Sequence, residues 1–302
     1  MSGSPGMISD LACDPFKRRS YRVEFEGGAG FRLAGIVDRP VVAADDAATD
    51  DAAPLPSNVP VVVFSHCFTC GKDIKAIARI SRRMSELGVA VLRFDMTGLG
   101  GSQGDFSHTN FSTNLADLTA AIRFATQSLG PVTGLIGHSF GGAASLGVAA
   151  GLPHAVGEQL TVAEREAIRA VVAIAAPSDT QHLASLMEVM NPAIVTDGVG
   201  DVVIGGRTWT IRQETLDDFR SHQLADQLDQ IRCPVMVFHS PVDQTLGFDH
   251  ALRIAGLVHD QDGLSQASVI ALPGADHLLI SHPSDATFVA ETAAVFLRRY
   301  QS

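Results

Sequence analysis

The chain has 302 residues, 46% hydrophobic and 18% charged, which supplies a substantial buried core and excludes wholesale disorder. Twenty-two basic against 33 acidic residues give a formal charge of −11, against sequence-independent nucleic-acid binding, where cations must replace the counterions on phosphate. Residues 124–157 contain no Asp, Glu, Lys or Arg, but Gly, Pro, Ser and His interrupt them and no run reaches the roughly 18 apolar residues of a membrane span.

Residues 1–19 read as an N-terminal extension. Its first ten residues have neither a basic region nor an apolar stretch, so no secretory signal is expected. Strands are predicted at 20–26 and 31–39, joined by the Gly-rich turn 27–30. Residues 43–58, with Asp45, Asp46, Asp50 and Asp51 in an Ala-rich tract closed by Pro54 and Pro56, read as an acidic surface loop. A continuous apolar run at 59–65 is the pattern of a central strand. Residues 72–87 place Ile74, Ile77, Ala78, Met84 and Leu87 on one helical face and end at Gly88. The next strand is 89–95, and Asn114 with Asp117 three residues on reads as a capping-box start to a helix through Leu129.

Strands at 131–136, 170–175, 234–239 and 267–272 then alternate with helices at 140–152, 249–257 and 286–299. Such alternation predicts an α/β fold with a mostly parallel sheet, its core formed by 20–177 and 232–302. Between 178 and 231 the alternation breaks. A hairpin at 201–211 turns at Gly205–Gly206, with helical patterns at 182–190 and 214–228 on either side. This segment reads as a lid inserted over the strand ends.

The pattern Gly-x-Ser-x-Gly occurs around Ser139 and again around Ser102, where composition alone predicts about 0.2 copies. A nucleophile elbow needs a strand running into the motif and a helix leaving it. Ser139 meets that condition, whereas Ser102 lies in a Gly-rich loop past its strand. A serine needs a base, and the base needs an acceptor to orient it. His277, in the loop after the strand at 267–272, is the expected base among eleven histidines. Asp243, after the strand at 234–239, is the expected acid, with Asp249 and Asp276 as rivals. His66 and His138 are expected to brace loop and elbow.

The oxyanion of a tetrahedral intermediate needs two backbone N–H donors. Phe140, directly after Ser139, is expected to give one. The loop after the strand at 59–65 gives the other, from Phe68 or alternatively Cys67. Phe68, Met96, Leu99, Phe140, Met187, Met190 and Trp209 are expected to furnish an apolar pocket. Cys67 and Cys70 have the spacing of a redox pair or half a zinc site, but no second pair completes a metal site. They are read as small packing residues of a reduced, cytoplasmic protein.

The segments HCFTCGKD (66–73), LRFDMTGLGGS (92–102), GDFSHTNFSTN (104–114), GHSFGGA (137–143), APSD (176–179) and GADHLL (274–279) carry a resemblance. From about Tyr21 to Tyr300 the chain resembles an α/β-hydrolase, and more narrowly the hydrolase half of bacterial proteins that fuse such a domain to an OsmC-type peroxide-reducing domain. The resemblance implies an eight-stranded, mostly parallel sheet, a Ser–His–Asp triad and hydrolysis of an ester-like bond without a cofactor. The chain ends at Ser302, so no redox role is carried over. Thioesterase, amidase or acyltransferase chemistry uses the same triad, and a low-turnover ligand-binding protein is the alternative from another class. The expected partner is a small-molecule ester, with neither nucleic acid nor membrane. In this fold the uncharged stretch 124–157 becomes a helix end, the central strand, the elbow and a buried helix.

Overall fold

The computed structural model describes residues 16–42 and 55–301; most of the N-terminal extension and of the acidic tract lie outside the described residues. Strands β1 (Arg18–Glu26) and β2 (Arg32–Pro40) form an antiparallel hairpin. The others in the main sheet are β3 (Val61–Ser65), β4 (Ala90–Phe94), β5 (Val132–His138), β6 (Ala170–Ile174), β9 (Val235–His239) and β10 (Ala267–Ala271). The order is β1-β2-β4-β3-β5-β6-β9-β10, and every pairing from β4 onward is parallel.

The central strands are fully buried, which is why VVVF and AVVAI read as unbroken apolar runs, while AVLRF carries one buried arginine, Arg93. Alternate side chains serve two cores. Val61 and Val63 join one that includes helices α2 (Phe111–Ser128), α3 (Phe140–Ala150) and α8 (Asp249–Leu257). Val62 and Phe64 join another, under α1 (Lys75–Glu86) and α9 (Pro283–Arg299). Helix α3 is buried along all but one of its residues, so its sequence FGGAASLGVAA carries no charge.

Helix α2 starts earlier than the sequence suggests. Asn110 is the N-cap and exchanges bonds with Thr113 in a capping box, while Asp117 is buried and accepts the Thr97 N–H at 2.8 Å. A short helix α4 (Val162–Glu166) was not anticipated.

Between β6 and β9 the chain forms α5 (Gln181–Met190), α6 (Ala193–Thr196), the hairpin β7 (Val199–Ile204) and β8 (Arg207–Arg212), and α7 (Gln213–Ser221). The predicted helix at 214–228 is thus split into α7 and a 3-10 turn at Ala225–Gln230. Asp218 ties this segment to the core by accepting the N–H groups of Phe111 (2.8 Å) and Ser112 (3.2 Å) at the start of α2. Among the described residues no helix is long and apolar enough to cross a membrane.

Candidate active site

Ser139 occupies the sharp turn between β5 and α3 with φ 53° and ψ −120°, a left-handed conformation rare for a side chain with a Cβ. Glycines make the turn possible. A Cβ on Gly137 would lie 2.1 Å from the Gly141 carbonyl oxygen, and one on Gly141 would lie 2.4 Å from the carbonyls of Ser65 and His66. The second Gly-x-Ser-x-Gly copy is structural: Ser102 Oγ donates to the Asp95 carbonyl at 2.6 Å and accepts the Ala34 N–H at 2.9 Å.

Three loops at the carboxyl ends of β5, β9 and β10 meet at this serine. His277 Nε2 lies 2.9 Å from Ser139 Oγ, and its Nδ1 lies 2.7 Å from Asp243 Oδ2. Asp243 Oδ1 accepts the N–H groups of Thr245 (2.8 Å) and Leu246 (3.0 Å), so this buried carboxylate takes three hydrogen bonds, two at Oδ1 and one at Oδ2. Burial pushes the Asp243 carboxyl up, but the bonds from His277, Leu246 and Thr245 outweigh it and hold it below the usual carboxylate range. Of the rival acids, Asp276 instead accepts backbone N–H groups from Leu278, Ile280 and Ser281, bracing the loop that carries His277. Asp249 opens α8.

His138, next to the nucleophile, points under the turn and donates from Nε2 to the His277 carbonyl at 2.7 Å. Burial, aided by the nearby His277, depresses its pKa to about 4, so it is neutral at ordinary pH. His66 donates from Nδ1 to the Cys67 carbonyl (2.8 Å) and accepts the Met96 N–H at Nε2 (3.0 Å).

The loop after β3 brings Phe68 over Phe140, with ring centroids 5.4 Å apart. Among the described residues the N–H groups of Phe68 and Phe140 meet no protein acceptor, and neither does that of Cys67. A polar brace invisible in the sequence holds this loop. Asp95 accepts the Lys72 backbone N–H (2.7 Å), the Lys72 ammonium (2.8 Å) and the Gly101 N–H (2.8 Å). Buried Arg93 bonds the Lys72 carbonyl, Asp73 and Asp38. Cys67 and Cys70 are joined in a disulfide, not the reduced packing pair expected from composition. The turn closed by Cys70 N–H on the Cys67 carbonyl brings their Cα atoms to 5.3 Å, within bridging range.

A cavity of about 870 Å³ opens beside Ser139 and His277. Phe68, Leu99, Met187, Met190 and Trp209 line it, together with Leu183, Leu186, Val203 and Ile204, which the sequence reading missed. Met96 and Phe140 do not line it: both are buried in the core (2% and 3% exposed). The segment 178–231 supplies most of the apolar wall, and Arg207 stands at its rim. Among the described residues no cluster of three or more His, Cys, Asp or Glu side chains is arranged to hold a metal ion.

Residues 62–291 match the alpha/beta hydrolase family. The esterase domain of a Rhodothermus marinus protein is 34% identical, with 94% of this chain and all of that one covered and a TM-score of 0.65. Est1E from Butyrivibrio proteoclasticus, solved with ferulic acid bound, is 20% identical over 90% of this chain and 98% of its own, with a TM-score of 0.69. A protein from Pseudomonas aeruginosa, PA2218, is 16% identical, with 99% of each chain covered and a TM-score of 0.68. These last two likenesses show a shared fold alone. No curated protein matches the chain.

Proposed function

The chain belongs to the alpha/beta hydrolase family, and from that premise we propose that it is a serine hydrolase cleaving carboxylic esters through an acyl-enzyme on Ser139. The observation that carries the reading is the continuous chain of contacts from Ser139 Oγ to His277 (2.9 Å) and from His277 to Asp243 (2.7 Å). His277 Nε2 takes the serine proton as Oγ attacks the ester carbonyl. Asp243 holds Nδ1 protonated and stabilises the imidazolium that forms. The developing oxyanion is received by the free N–H groups of Phe68 and Phe140. Proton return from His277 releases the alcohol, and water then reverses these steps to free the acid.

The cavity favours a small-molecule ester with an apolar half. Leu99, Met187, Met190 and Trp209 contact that half, and 178–231 acts as the lid that keeps bulk water from it. The esterase domain of the Rhodothermus protein supports ester chemistry, and the aromatic acid held by Est1E suits a cavity walled by Phe68 and Trp209. The test is a series of p-nitrophenyl esters from acetyl to decanoyl, run on the wild type and Ser139→Ala. We expect a Ser139-dependent burst of nitrophenol and higher kcat/KM for medium chains than for acetate. Absence of Ser139-dependent turnover on every ester would replace this reading with ligand binding.

A further inference from the structure

A second cavity, of about 650 Å³, opens at the amino ends of the parallel strands, opposite the ends that carry Ser139, Asp243 and His277. Its walls include Arg169, directly before β6, and Cys233 and Pro234, directly before β9. Ser139 follows the far end of β5, so a strand length of about 17 Å separates this cavity from the ester site. Four guanidinium groups line it, from Arg165, Arg169, Arg232 and Arg299, against one carboxylate, Glu166. That is an unusual concentration of positive charge in a chain of formal charge −11.

Two of the four have structural duties. Arg165 lies over the end of α3, where a Cβ on Gly151 would meet its Nη1 at 2.0 Å. Arg232 donates to the Asp229 carbonyl (2.8 Å) and Gln230 Oε1 (3.3 Å). Arg299 only stacks on Tyr300, at 5.4 Å from the ring centroid. Among the described residues neither Arg169 nor Arg299 has a side-chain hydrogen bond or ion pair, and Glu166 forms no ion pair with any of the four.

Helix ends account for part of this charge. The carboxyl ends of α3 and α9 reach the cavity at Ala150 and Arg299, and each contributes roughly −0.5 of an elementary charge. Against a side-chain sum of four positive and one negative charge, this leaves a surplus of about +2 facing solvent in a concave site. Guanidinium forks bind phosphate oxygens in pairs, and the volume exceeds what one phosphate fills.

We propose that this cavity is a second binding site, separate from the ester site, for a small polyphosphate, held chiefly by Arg169 and Arg299 in the field of Arg165 and Arg232. The chemistry is that of a di- or triphosphate chain, whether inorganic or carried by a nucleotide. The proposal does not depend on the ester reading.

The experiment is calorimetric titration of the full chain at low salt with sodium tripolyphosphate, ATP and citrate. We expect saturable one-to-one binding of tripolyphosphate that weakens as salt is raised, at least tenfold weaker binding by Arg169→Gln/Arg299→Gln, and unchanged binding by Ser139→Ala. Equal affinity for ATP and tripolyphosphate assigns the site to the phosphate chain alone; tenfold tighter ATP assigns it to a nucleotide. Both exchanges are at exposed positions, and an unaltered Tm of the unliganded double variant verifies its fold. The proposal is overturned by no saturable binding of either phosphate, by citrate binding alone, or by a double variant that binds as the wild type does.

Discussion

Replacing Asp243 by Asn tests the proposed mechanism at its most constrained atom. The buried carboxylate accepts two backbone N–H groups at Oδ1, from Thr245 and Leu246, and the His277 Nδ1–H at Oδ2. An Asn side chain must turn its one carbonyl oxygen toward the two backbone donors, because the alternative faces an NH2 against both. Its NH2 then points at His277 Nδ1, which becomes an acceptor, and the ring proton moves to Nε2. Nε2 already faces Ser139 Oγ at 2.9 Å and in this tautomer has no lone pair to take the serine proton. The expected loss in kcat is about 10⁴-fold, roughly 5.5 kcal/mol of transition-state stabilisation, with KM nearly unchanged. Asp243→Ala removes the acceptor without imposing a tautomer and should lose no more than Asn does. The assay is initial-rate hydrolysis of a p-nitrophenyl ester, with circular dichroism to verify folding. An Asn variant that keeps more than about a tenth of wild-type kcat would refute the tautomer argument.

Two buried groups should pull the pH dependence of stability in opposite directions. The His138 pKa is lowered to about 4, so the unfolded chain gains a proton as pH falls from about 6.5 to 4 and folding loses up to about 3 kcal/mol. Asp117, raised to about 6 chiefly by burial, does the reverse: its contribution is lost as pH rises from about 3.8 to 6, also by about 3 kcal/mol. In urea unfolding at pH 4, 5 and 6.5, Asp117→Asn should therefore steepen the acid loss and His138→Gln should remove it; parallel profiles would count against both assignments. Gly141→Ala, whose Cβ would sit 2.4 Å from two carbonyl oxygens, should lower Tm and abolish turnover together, as scanning calorimetry and the ester assay will report. Trp209→Ala should raise KM for apolar esters about tenfold and leave kcat for acetate near wild type.

The parts legible in the sequence are those where local pattern and tertiary role coincide. The central parallel strands are buried on both faces, so apolar runs locate them. The Gly205–Gly206 turn is set by positive φ at both positions, 59° and 76°. The start of α2 was misread because several caps compete in GDFSHTNFSTN, and Asp117 serves a tertiary partner, the Thr97 N–H, instead of its own helix. Met96 and Met187 are equally buried in sequence terms, yet only Met187 borders the cavity, a matter of direction that hydrophobicity does not encode. Nor does C-x-x-C spacing separate a disulfide from two packed thiols; the turn between them decides it.

Three buried histidines give the site a common construction. His66 donates to the Cys67 carbonyl beside Phe68, His138 to the His277 carbonyl, and His239 to the Leu246 carbonyl, where the Asp243 loop turns back. Each imidazole thus holds one of the three loops that the proposed mechanism requires through one donated N–H, and His66 also accepts the Met96 N–H at its other ring nitrogen. A lysine or arginine in such a place would add a buried charge near Asp243, whose Oδ2 is already only 3.7 Å from His239 Nε2. An aliphatic side chain would leave a buried carbonyl without a donor, at a cost of about 1–3 kcal/mol. An imidazole avoids both penalties, and at His66 and His138 burial lowers the pKa and favours the neutral ring. It fills core volume on a strand or strand end and offers one N–H to the loop above. The geometry of Ser139, His277 and Asp243 therefore depends on groups that touch neither substrate nor reacting atoms, placed by the same buried strands that keep charge out of residues 124–157.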